Sequence, residues 1–105
     1  MTNKLKPIKG FRDFYPNNWV FQNWLKSKWI SLGKSFGYQE YEGPLMERMD
    51  LYLSKTSAEL IEKQAFKFTS KDKEYLLRPE LTPTLARMIA QKQFRVTLPA
   101  KWQSY

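Results

Sequence analysis

Residues 75–88 read YLLRPELTPTLARM, and the fold turns on how this stretch is divided. Leu76 and Leu77 run directly into Arg78, Pro79 and Glu80, and Thr82-Pro83 then opens a helical pattern. Pro79 pushes Arg78 out of the helical region, which ends the strand there. The Thr82 oxygen can accept from an orphan amide, and Pro83 loses nothing at the first helical position, so Thr82 is expected to cap the helix. Strand and helix termination thus account for four of the six residues in RPELTP. They leave Arg78 and Glu80 unexplained, because an exposed Arg–Glu pair at a loop end contributes little.

Working outward, FKFTSKDKEYLLR (66–78) predicts a hairpin. Phe66 and Phe68 alternate with Lys67, a polar turn follows, and Tyr75-Leu76-Leu77 returns. From Thr82 a helix is expected to about Gln93, with Leu85, Met88, Ile89 and Lys92 stepping along it. Upstream, Pro7, Gly10 and Pro16 punctuate an extended or looped entry. Asn17 or Asn18 is then expected to cap a helix running to about Phe36, with Gly37 as its stop. Phe21, Leu25, Trp29, Leu32 and Phe36 form one stripe on it, and Trp19, Val20, Trp24 and Ile30 widen that stripe. A helix so apolar packs against more than one layer, and in a small chain one such layer belongs to a partner.

YQEYEGP (38–44) reads as a strand interrupted by Pro44. Leu45, Met49, Tyr52 and Leu53 then take helical spacing, SAELIEKQ (57–64) reads as a second helical piece, and KWQSY (101–105) as a last strand. The fold class is α+β: an antiparallel sheet with flanking helices and a long N-terminal helix. The last strand stops without a turn or cap, as expected of a piece of a longer protein.

Eighteen Lys and Arg oppose ten Asp and Glu across 105 residues, with no histidine. Residues 1–36 hold seven basic groups and one acid, residues 37–65 three and six, and residues 66–105 eight and three. A basic chain favours polyanionic partners, nucleic acid first. Without cysteine there is no disulfide or thiol catalysis, and without Cys or His a protein-bound zinc site is excluded in practice. No apolar run approaches the roughly 20 residues of a membrane span, and MTNKLKPIKG lacks the apolar centre of a signal peptide. A soluble, cytoplasmic protein is expected.

Three segments in order, KGFRDFYP, GYQEYEGPLME and LRPELTPTLAR, resemble the start of histidyl-tRNA synthetase, a class II aminoacyl-tRNA synthetase. The resemblance covers nearly the whole chain and keeps order and spacing. It implies that residues 1–105 are the N-terminal portion of the catalytic domain. GYQEYEGPLME, with Pro44, would be motif 1, which builds the dimer interface in that class. LRPELTPTLAR would hold the amino-acid substrate.

By the same resemblance Glu80 matches the acid that binds the α-ammonium of L-histidine, and Thr82 the hydroxyl that assists it. Leu81 stands between them where the family often has glycine, and it is expected to contribute main chain only. The implied reaction activates histidine with ATP and transfers it to tRNA, with Mg²⁺ and arginines stabilising phosphate charge. The motif 2 arginine would lie beyond Tyr105, and none of Arg12, Arg48, Arg87 or Arg95 stands in its place. No catalytic or metal-ligating residue is therefore assigned, and the 105 residues alone are expected to be inactive.

Two other readings compete. The regulatory subunit of ATP phosphoribosyltransferase, a synthetase paralogue, has a similar N-terminal pattern; it tends to carry aspartate where Glu80 stands, which favours the ligase. A basic, aromatic nucleic-acid-binding module is the third. Trp19, Trp24 and Trp29 recur every five residues, about 140° apart around a helix, so they cannot form one stacking platform.

Overall fold

A computed structural model describes residues 5–52, 63, 65–92 and 95–105. The chain divides into two compact units, one of residues 1–40 with 101–105 and one of residues 41–100.

In the first unit, α1 (Pro16–Ser35) carries the apolar stripe, and β1 (Gln39–Glu40) follows it. Tyr15 rather than either asparagine is the N-cap of α1, and it makes no side-chain capping bond. Pro16 sets the first helical φ, so the helix begins before Asn17 and Asn18 and takes them into its first turn. The stop falls where expected: Phe36 is the C-cap and Gly37 follows with φ +83°. β1 is shorter than the strand read from YQEYEGP, since Tyr41–Pro44 leave extended pairing. KWQSY does form a strand, β5 (Trp102–Gln103), but it pairs parallel with β1 in the register Gln39↔Trp102. The Gln103 amide donates to the Ile30 carbonyl at 3.0 Å, and a Cβ on Gly33 would collide with that amide. No residue of α1 is buried.

The second unit holds an antiparallel sheet in the order β2-β4-β3, formed by β2 (Met46–Arg48), β3 (Lys67–Ser70) and β4 (Lys73–Leu77). The expected hairpin is β3–β4, closed by Lys71 and Asp72, both at positive φ. Two successive left-handed residues give the turn whose twist matches the flanking strands. α2 (Thr82–Gln91) begins where expected.

The helical spacing of Leu45, Met49 and Tyr52 misleads. Met46–Arg48 pairs with β4 as β2, and only Met49–Leu51 coils, as a single 3₁₀ turn. Residues three apart eclipse one another in that geometry, which puts Met49 and Tyr52 on one side. Both are buried with Leu76, and Leu51 and Ala65 pack against them. The piece expected over 57–64 lies, Lys63 apart, outside the described residues, as does Leu53.

Candidate functional site

The candidate site is the seam of residues 78–82 between β4 and α2. Arg78 continues the ladder, its amide donating to the Leu45 carbonyl at 2.9 Å. Its guanidinium bonds to residues 42–44 and not to Glu80. Nη1 reaches Glu42 Oε1 at 2.9 Å, the Gly43 carbonyl at 2.9 Å and the Pro44 carbonyl at 3.3 Å. The Arg78 side chain is 17% exposed and that of Glu42 61%, so the contacts to two backbone carbonyls matter more than the charge pair. Arg78 is in the sequence to hold the bend after β1, and Glu80 is not its partner.

Beneath the seam, Glu47 is buried in β2 opposite Leu76. It takes a forked pair of bonds from Arg87 of α2, Nη2 to Oε1 at 2.8 Å and Nε to Oε2 at 3.1 Å. The buried Thr84 hydroxyl donates to the same Oε1 at 3.3 Å. A forked Arg–carboxylate pair fixes direction as well as distance, and here it ties helix to sheet. Gly43 is small because a Cβ there would strike the Thr84 methyl. The Tyr52 hydroxyl donates to the Glu80 carbonyl at 3.0 Å. Burial pushes the Tyr52 phenol above its usual range; the neighbouring Thr84 hydroxyl opposes this, Glu47 and Glu80 add to it, and Arg78 opposes it. The phenol therefore remains a donor at neutral pH.

Glu80 is exposed, and its carboxylate makes no hydrogen bond or ion pair with another described residue. Leu81, half-buried, has φ −98° and ψ −16°, so the position makes no demand for glycine. Its carbonyl accepts from the Leu85 amide at 3.0 Å, the first bond of the helix ladder. Thr82 is not the cap. Leu81 occupies that place, its backbone already in the helical region, so Thr82 enters the first turn with its side chain exposed and without a capping bond. The seam thus presents a carboxylate with no partner among the described residues and a hydroxyl two residues on, with the Glu80 carbonyl held by Tyr52.

Sequence reasoning missed Glu47, Tyr52, Thr84 and Arg87 as builders of this seam. The signal was the alternation Met46-Glu47-Arg48, which places Glu47 inward once the segment is taken as a strand.

Solved structures of aminoacyl-tRNA synthetases are similar to this chain in shape. Histidyl-tRNA synthetase from Nostoc sp. PCC 7120 superposes with a TM-score of 0.81 at 22% identity, over 95% of this chain and 23% of that one. A Bacillus halodurans C protein described as an ATP phosphoribosyltransferase regulatory subunit/histidyl-tRNA synthetase gives a TM-score of 0.80 at 20% identity, over 99% and 28%. Both likenesses show a class II synthetase fold, and at such identities nothing finer. The sequence goes further: the family model described as histidyl-tRNA synthetase matches residues 10–104, and the chain belongs to that family. The histidine–tRNA ligase of Leptospira biflexa serovar Patoc is 45% identical over 97 residues, 91% of this chain. The match spans 22% of that ligase, so this chain corresponds to about a fifth of the relative's length. No helix among the described residues is long and apolar enough to cross a membrane.

Proposed function

We propose that this chain supplies the histidine-binding seam of a histidine–tRNA ligase, as the N-terminal portion of its catalytic domain. The observation that carries this reading is the Glu80 carboxylate, exposed and without a partner among the described residues while its own carbonyl is held by Tyr52. A carboxylate left free on a fixed backbone suits the α-ammonium of L-histidine, with the Thr82 hydroxyl beside it and Leu81 supplying main chain. ATP and tRNA are the other substrates of that reaction, and Mg²⁺ accompanies the ATP. Among the described residues no cluster of His, Cys, Asp or Glu is placed to hold a metal, so no step is assigned to the ion. Arg78 and Arg87 are engaged with Glu42 and Glu47, which leaves neither to grip phosphate. The 105 residues alone are accordingly expected to give no histidine-dependent pyrophosphate exchange. A homodimer and a cytoplasmic location belong to the same proposal, the dimer being supported by the uncovered apolar groups of α1.

Isothermal titration of the complete ligase with L-histidine tests the assignment. Glu80→Gln keeps the shape and removes the charge, and should weaken binding by roughly ten- to a hundredfold, about 1.5–3 kcal/mol. Unchanged affinity would remove Glu80 from the site.

A further inference from the structure

We infer that Tyr52 is a positioning residue whose hydroxyl sets the direction of the Glu80 peptide and, through it, of the Glu80 carboxylate. The inference rests on the reading that Glu80 meets the ammonium of histidine. Tyr52 is 2% exposed, and its ring belongs to the core with Met49 and Leu76. Packing alone would be met by phenylalanine. The hydroxyl instead reaches 28 residues along the chain to the Glu80 carbonyl, at 3.0 Å.

That carbonyl lies before the helix ladder begins, since the Leu85 amide takes the Leu81 carbonyl. Without Tyr52, no other described side chain would hold it. A trans peptide is planar, so directing the Glu80 oxygen also directs the Leu81 nitrogen and restricts the Glu80 Cα. The Cα–Cβ bond of Glu80 is then aimed, and only side-chain torsions remain to place the carboxylate. The donor is itself kept in place by its ring, which is packed in the core with Met49 and Leu76, with Leu51 and Ala65 against that cluster. The hydrogen bond from Tyr52 to Glu80 thus ties the buried core to the seam. Tyr52 itself does not need to touch substrate.

Tyr52→Phe removes the hydroxyl and keeps the ring. In the 105-residue chain, ¹⁵N relaxation should show order parameters at Leu81 and Thr82 falling from about 0.85 toward 0.6, with β4 unchanged. In the complete ligase the same variant should lose about three- to tenfold in L-histidine affinity, the scale of one neutral hydrogen bond. A tyrosine that only fills the core would lower the unfolding midpoint and leave both readouts alone. Unchanged order at Leu81 and Thr82 overturns the inference whatever the affinities do. Wild-type affinity in Tyr52→Phe, alongside lost affinity in Glu80→Gln, overturns it too and leaves the Glu80 assignment standing. If instead Glu80→Gln binds normally, the assignment falls, and the order parameters still decide whether Tyr52 directs the peptide. Should Tyr52→Phe not fold, the wild-type chain decides by NMR: a Tyr52 hydroxyl proton in slow exchange supports the inference, and one exchanging freely with water overturns it.

Discussion

The unit of β2, β4, β3 and α2 buries a carboxylate and a threonine, while the unit of α1, β1 and β5 leaves the three tryptophans of its helix in solvent. In the first of these, every burial of polarity is answered. Glu47 has Arg87 and Thr84, Tyr52 has the Glu80 carbonyl, and no buried side-chain nitrogen or oxygen among the described residues lacks a partner. In the other, Trp19, Trp24 and Trp29 are each more than half exposed, and Trp29, Leu32, Phe36, Tyr38 and Trp102 line an open apolar cleft of 430 Å³. One unit is specified by contacts it makes within itself. The other carries apolar area that its own residues do not cover, which is what a surface meant for another protein surface looks like.

The comparison breaks most readily at Glu47. Glu47→Ala leaves Arg87 without its fork and Thr84 without its acceptor. Removing one member of a buried pair is costly, and the 32% exposure of the Arg87 side chain lets water recover part of that, so about 3 kcal/mol is expected. Urea unfolding of the 105-residue chain measures it; a loss below about 1 kcal/mol would mean the clip is not what specifies this unit. Gly43→Ala comes next. The added methyl meets Thr84 at the same junction, and overpacking of this kind costs about 2 kcal/mol. The same urea series should show it, and a midpoint no lower than wild type would show the junction to be loose.

How much of this was legible differs between the two units for a physical reason. The hairpin and the start of α2 were read correctly because Phe66-Lys67-Phe68 alternation and the Thr82-Pro83 punctuation are local signals. β2 was misread because the 3₁₀ turn after it puts Met49 and Tyr52 at a spacing that an α-helix also uses. Arg78 could not be assigned, since its acceptors are backbone carbonyls some 35 residues away, and carbonyls have no sequence signature. The caps expected at Thr82 and at Asn17 or Asn18 failed for a related reason. Capping depends on the dihedrals of the residue before the helix, and Leu81 and Pro16 decided those. Glu80, Leu81 and Thr82 were assigned to substrate through family resemblance; the local pattern marked Thr82 only as a helix start and left Glu80 unexplained.

A smaller effect sharpens the comparison through pH. Because the folded Tyr52 phenol titrates above its unfolded value, the native state keeps a proton that the unfolded chain releases. The stabilisation is therefore fully present below the unfolded tyrosine pKa of about 10 and is lost as pH rises through the folded value. The stability difference between wild type and Tyr52→Phe should shrink over that window. Taking the difference cancels the remaining tyrosines and the lysines. A constant difference up to the alkaline limit would mean the hydroxyl is not held in a buried environment.

The smallest expected change in folding stability comes from the other unit, and it is the sharpest contrast. Leu32→Lys places a charge on the apolar stripe of α1 at a residue 63% exposed. Lysine is as good a helix former as leucine, and no described core residue loses a contact, so stability should stay within about 0.5 kcal/mol of wild type. Self-association should respond strongly, because a second copy would have to desolvate the ammonium to cover the stripe. Sedimentation equilibrium reads this directly: the wild-type chain is expected to associate with rising concentration and the variant to remain monomeric. A wild-type chain that stays monomeric at high concentration would show that a second copy of these residues is not what covers α1. A loss of folding stability comparable to that of Glu47→Ala would show that the stripe is core after all, and that the two units are not built on different terms.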